Sequence, residues 1–271
     1  MTTTTTNGSS GADRRGAVWL VLAAALTIAV VLGPAAVAGW ATGTHLSVAA
    51  LPEAVASGFA AWVRSGRASS APLADAVAFW AVFHAVKAVV AIALLVVLVP
   101  VGRRLWGAYA RARSGGRRAL LLLVGVLGAP VAPVVLLMTM ANVQGAVAPL
   151  SSVLTFLPMD GPAVGAVRSA LAGGVSTPPV ATLVDDFRVY HAALVVTAVA
   201  AIVVVAALTV VVWVRRTRTP EPARRLRRVL AAAGVLLPGL LLFLGIVLVA
   251  NLSTVADTAP ALAAFFDGSG T

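Results

Sequence analysis

Cysteine is absent from this 271-residue chain, which excludes disulfides, thiolate metal centres, iron–sulfur clusters and a thiol nucleophile. Charge is scarce as well. Only 11% of the residues are Asp, Glu, Lys or Arg and 60% are hydrophobic, where a soluble domain carries about 25% and about 45–50%. A soluble enzyme is thereby excluded. The sequence also lacks paired carboxylates within an apolar run, HExxH, GxSxG and a phosphate-binding glycine loop, so no enzymatic activity and no bound cofactor are expected.

What is present is length without charge. Uncharged runs extend over Gly16–Pro52, Ala119–Met159, Val189–Val214 and Val229–Ala256, and a fifth, Ala76–Gly102, is broken only by Lys87. Each exceeds the roughly 20 apolar residues that cross a bilayer. The expected fold is an all-α, polytopic membrane bundle of five spans, at about 16–40, 78–101, 119–140, 189–214 and 229–250. Residues 16–271 are read as a single membrane domain, after a disordered, low-complexity cytoplasmic tail over 1–15.

The net charge of +11 is read as membrane orientation and not as nucleic-acid binding. Fifteen arginines fall on one side of these spans, at 14–15, 103–118 and 215–228, against Arg64, Arg67, Arg168 and Arg188 on the other. Short loops rich in Arg stay cytoplasmic. The protein is therefore expected in a bacterial cytoplasmic membrane with its N-terminus inside and its C-terminus outside. Trp19 and Trp40 bracket the first span, and their separation of about 31 Å along a helix matches the hydrocarbon thickness. A second reading of the first span is a signal peptide, with Arg14-Arg15 ahead of an apolar core and cleavage before Gly39.

The chain also resembles itself. Pro72–Ala85 aligns without gaps on Pro179–Ala192 with six of fourteen positions identical, His84 on His191 among them, and aromatic residues match at Trp80/Phe187 and Phe83/Tyr190. Each block leads into an apolar span, an arginine loop, a proline-containing span and then Ala141-Asn142 or Ala250-Asn251. Two parallel-oriented hairpin repeats preceded by one extra span are expected.

Three outer segments are apolar on one helical face but too short to cross: Val55, Phe59, Trp62 and Val63; Leu150, Val153, Leu154 and Leu157; and Leu262, Phe265 and Phe266. They are read as helices lying on the outer leaflet or capping the bundle.

The candidate polar cluster comprises His84, His191, Asn142, Asn251 and Lys87, all toward the outer boundary; His45 lies on that side too. Two imidazoles related by a pseudo-axis offer a haem or metal site, with Asp75, Asp185 or Asp186 assisting. The competing reading is structural: each histidine hydrogen-bonds the partner hairpin, through Asn142 or Asn251. Lys87, the one charge inside a span, lies a turn from His84 and is read as reaching its amine outward. Pro130, Pro133 and Pro238 are expected to interrupt spans three and five and free carbonyls there. Gly125, Gly128, Gly234 and Gly245 are expected to permit close helix packing.

The stretch Ala250-Asn-Leu-Ser-Thr-Val-Ala-Asp-Thr-Ala-Pro-Ala-Leu-Ala-Ala-Phe-Phe266 resembles uncharacterised bacterial multi-span integral membrane proteins that sometimes carry a twin-arginine-signal label, a resemblance that implies no activity. The expected role is a structural or partner-binding membrane component, in contact with the lipid bilayer and a membrane or periplasmic protein. The alternatives are a small transporter or channel subunit, or a haem- or metal-binding protein using His84 and His191.

Overall fold

A computed structural model of the chain describes residues 9–68 and 70–268, with side chains from residue 16 onward. The described residues are helical with no strand. Ten α-helices are described: α1 (Ser9–Thr42), α2 (Leu51–Ser65), α3 (Ala74–Arg111), α4 (Gly115–Gly128), α5 (Val131–Val147), α6 (Pro149–Val153), α7 (Pro162–Ala172), α8 (Pro178–Arg218), α9 (Arg224–Ala256) and α10 (Thr258–Asp267). The tail expected over 1–15 lies outside the described residues as far as residue 8; from Ser9 the backbone is part of α1.

Five segments are long and apolar enough to cross a membrane: Gly16–Thr42, Ala71–Arg111, Gly115–Val147, Pro178–Arg218 and Arg224–Ala256. The protein is an all-α polytopic membrane bundle. Val21, Val89, Val196 and Leu242 are each about two-thirds exposed, an arrangement that water penalises and acyl chains do not. The same solvent explains α8, whose Val-rich stretch 195–214 favours strands by propensity. In hydrocarbon each backbone amide must be satisfied within its own segment, and a helix does that.

The helices run past the apolar spans at both ends, because hydropathy marks the part that faces lipid while helix formation continues through polar turns. Pro130 behaves as expected, splitting the third span into α4 and α5 at Ala129-Pro130. Pro133 falls in the first turn of α5, where no amide partner is lost. The fifth span is not interrupted: α9 is helical through Pro238, since a bilayer helix tolerates the missing donor.

The chain falls into two compact units, each assembled from three segments. Of the described residues, the first comprises 9–31, 89–139 and 203–242 and carries the arginine loops. Its core joins Val30 of α1, Ala91 and Leu94 of α3 and Val135 of α5. Two tryptophans lie against glycines: a Cβ on Gly125 would meet the Trp106 ring at 2.6 Å, and one on Gly234 would meet the Trp213 ring at 3.0 Å. Arg225 Nη1 donates to the Ala112 carbonyl (2.7 Å), tying the two arginine loops together.

Of the described residues, the second unit comprises 32–68 with 70–88, 140–202 and 243–268. Here the short helices are caps. On α2, Leu51, Val55, Gly58, Phe59 and Trp62 are buried, spaced as one helical face. Gly58 is needed because its Cβ would sit 2.6 Å from the Pro72 carbonyl oxygen. Glu53 in the first turn and Arg64 in the last suit the helix dipole, and left-handed Gly66 (φ 65°) ends the helix. These side chains share one core with Phe79 of α3, Leu150, Val153 and Leu154, Val164 and Val167 of α7, Leu183 of α8, and Leu262 and Phe266 of α10. Helix α7 was not anticipated from the sequence; Arg168 on it donates to the Phe266 carbonyl (2.5 Å) and pairs with Asp267 (2.8 Å).

Candidate functional site

The polar side chains of the second unit fall into two sets built on the same plan. In the first, His84 on α3 donates from Nδ1 to Oδ1 of Asn142 on α5 at 2.8 Å. A carboxamide oxygen only accepts, so the ring proton sits on Nδ1 and Nε2 is left as an acceptor. The Ser152 hydroxyl of α6 supplies the donor at 3.1 Å, and Trp80 Nε1 in turn donates to Ser152 Oγ at 3.0 Å. With a neutral imidazole every member of this chain is satisfied. Trp80 stands edge-on to the ring (4.6 Å, 78°), and Gly145 makes room for it, since a Cβ there would lie 2.7 Å from His84 Cδ2.

The second set repeats the core of the first. His191 Nδ1 on α8 donates to Asn251 Oδ1 on α9 at 2.7 Å, and Asn251 Nδ2 donates to the Val247 carbonyl at 2.8 Å, which fixes the amide orientation. Phe187 takes the place of Trp80 (4.5 Å, 62°), and Tyr190 that of Phe83. One partner is absent: His191 Nε2 is buried without a hydrogen bond. Counting from the prolines that open α6 and the corresponding stretch of α10, Ser152 matches Ala263, which has no hydroxyl to offer.

The candidate residues therefore come together as two pairs rather than as one cluster. Each histidine bonds an asparagine of its own hairpin and not of the partner hairpin, correcting the pairing expected from sequence. The reason is geometric: within a hairpin, histidine and asparagine sit near the same end of two directly connected antiparallel helices. No hydrogen bond or ring contact joins His84 to His191 among the described residues. Lys87 joins neither pair; its Nζ lies 5.3 Å from the Phe83 ring centroid, a cation–π contact.

Two of the three carboxylates proposed as helpers are otherwise engaged, and the third, Asp75, is exposed in the first turn of α3. Asp186 Oδ2 accepts both the backbone N–H and the hydroxyl of Ser151 at 2.6 Å. Asp185 pairs with Arg188 at 3.0 Å. Among the described residues no three His, Asp or Glu side chains gather as a metal site. Sequence reasoning missed Ser151 and Ser152; their signal is two adjacent hydroxyls inside the otherwise apolar stretch Pro149–Leu157. Of the glycines singled out, Gly125 and Gly234 do sit at close approaches, whereas Gly128 and Gly245 face open space.

The spacing of these pairs is the same in both hairpins. His84 precedes Trp106 by 22 residues, as His191 precedes Trp213, and Gly125 precedes Asn142 by 17, as Gly234 precedes Asn251. Each hairpin is thus locked twice, by a tryptophan on a glycine in the first unit and by a histidine on an asparagine in the second.

The arrangement holds helices together. Among the described residues, the one hydroxyl it sets beside an imidazole, Ser152 against His84 Nε2, is buried and also accepts from Trp80 Nε1. No protein-family model, curated protein or solved structure matches the chain.

Proposed function

We propose that the protein is a non-enzymatic, multi-pass component of a bacterial cytoplasmic membrane, N-terminus inside and C-terminus outside, whose capped unit engages a membrane or periplasmic protein partner. On this reading it joins the uncharacterised multi-span proteins that its C-terminal hairpin resembles. The observation that carries the proposal is the construction of the cap. Trp62, Phe59, Phe79 and Phe266 are fully buried there, and each histidine ties its helix to the next through an asparagine. Such a unit is a rigid platform, and the exposed face of α2, with Glu53, Ser57 and Arg64, is its presented surface. The arginine asymmetry supports the orientation.

The test is a photo-crosslinking residue at Ser57 in native membranes, together with reporter fusions after Gly115, Thr219 and Gly268. A discrete protein adduct, cytoplasmic signals at 115 and 219 and an external signal at 268 are expected. Adducts to lipid alone would overturn partner binding, and external signals at 115 and 219 would overturn the topology.

A second reading, a small transporter or channel subunit, is favoured by the helix break at Ala129-Pro130, where backbone carbonyls lose their usual donors. Solute flux in proteoliposomes that Pro130→Ala and Lys87→Met abolish would support it. The haem or metal alternative is weakened at His84, whose two ring nitrogens already have partners; a Soret band or bound metal in the purified protein would revive it.

A further inference from the structure

The turn between α8 and α9, in the first unit, borders an open crevice of about 760 Å³ lined by Arg216, Glu221, Pro222, Arg224, Arg227, Arg228 and Ala231. Four guanidinium groups meet one carboxylate there. Glu221 lies 3.7 Å from Arg227 and its side chain is 93% exposed, so it screens little. Arg216 Nε is buried with no hydrogen-bond partner, while its Cζ lies 4.9 Å from the Trp213 ring centroid. Arg224 and Arg227 also occupy the first turn of α9, with Arg228 next along it, where the helix dipole already presents positive charge. Cations gathered at that end repel both one another and the helix, and a bound anion relieves both.

We propose that this crevice binds the phosphate of an anionic phospholipid. Arginine suits the group because its planar fork donates two parallel hydrogen bonds to phosphate oxygens. The lipid source, as opposed to free phosphate, follows from what continues the same face. At 100° per residue Arg224, Arg228, Ala231, Val235 and Leu242 fall within one stripe of α9, and Val235 and Leu242 are each 70% exposed. A headgroup seated on the arginines lays its acyl chains along that stripe, and Trp213 stands beside the guanidinium, where membrane-interface indoles belong.

The experiment uses the full chain purified in a neutral detergent, its thermal unfolding followed during titration with phosphatidylglycerol, phosphatidylcholine or inorganic phosphate at matched ionic strength. Phosphatidylglycerol is expected to raise the melting temperature saturably, and the other two are not. Arg224→Gln with Arg228→Gln is expected to raise the half-saturating concentration roughly thirty-fold, from the contribution of each basic residue near a lipid headgroup. Arg117→Gln with Arg118→Gln, an equal loss of charge in the other loop, leaves it unchanged. Ala231→Trp, which partly fills the crevice without altering charge, is expected to weaken binding and serves if the arginine variant does not fold. Equal stabilisation by inorganic phosphate, equal weakening by the control pair, or undiminished binding by the filled variant would each overturn the proposal.

Discussion

His84 donates from Nδ1 to Oδ1 of Asn142 at 2.8 Å, and 107 positions later His191 makes the same bond to Asn251 at 2.7 Å. Helices in a bilayer gain little from apolar contact with each other, because lipid tails are equally apolar. Directional bonds and close packing have to hold the hairpins instead, and these two bonds are that device.

Replacing both members of a pair tests this directly. In a double-mutant cycle of His84→Ala and Asn142→Ala, a coupling energy of about 0.6–1.7 kcal/mol is expected from hydrogen bonds between membrane helices. The His191/Asn251 cycle gives a similar value, and the two cycles add. Unfolding in mixed micelles measures both, and zero coupling in either would refute the assignment.

Ser152 is the hinge of the first set. Ser152→Ala strands His84 Nε2 and Trp80 Nε1 together, and leaving a buried donor or acceptor unpaired costs about 1–3 kcal/mol. The loss is expected in unfolding free energy, accompanied by a shift in Trp80 fluorescence as its indole N–H is released. A variant as stable as the parent would show that the chain of hydrogen bonds contributes nothing.

The glycines sort by what a methyl group would meet. Gly125→Ala and Gly145→Ala push Cβ against Trp106 at 2.6 Å and His84 at 2.7 Å and are expected to destabilise; Gly234→Ala, at 3.0 Å from Trp213, destabilises less. Gly128→Ala and Gly245→Ala meet nothing within 4 Å, and replacing a helical glycine gains up to about 1 kcal/mol. Melting temperatures of the five variants should rank in that order, and a drop at Gly128 or Gly245 would contradict it.

Trp62 anchors the cap: it is fully buried and its Nε1 donates to the Arg67 carbonyl at 2.9 Å. Trp62→Ala is expected to cost about 3–5 kcal/mol, the usual range for a large aromatic removed from a core. Proteolysis at the neighbouring loop, residues 66–68, should accelerate with it, and an unchanged cleavage rate would mean that α2 is not held by this side chain.

Much of this architecture was legible along the chain. Uncharged runs locate the five membrane-crossing helices, and a 3.6-residue period in Val55, Phe59 and Trp62 or in Leu150, Val153 and Leu154 names faces that the structure buries. These are local signals: one segment carries the whole pattern. The alignment of His84 with His191 also singled out the residues that form the matched pairs, because an imidazole in an apolar helix needs a partner and an asparagine stands near the same end of each following span.

The sequence by itself determined the number and placement of the membrane-crossing segments and the apolar faces of three short helices, since the bilayer allows a backbone few ways to satisfy its amides. Only the tertiary structure decided who meets whom. It paired each histidine within its own hairpin, brought Ser151 to Asp186, seated Arg168 between α7 and α10, and separated the glycines that carry a neighbour from those that do not. The hydrogen-bonded partners stand 35 to 98 residues apart, and no period along a single helix records which side of another helix it will face.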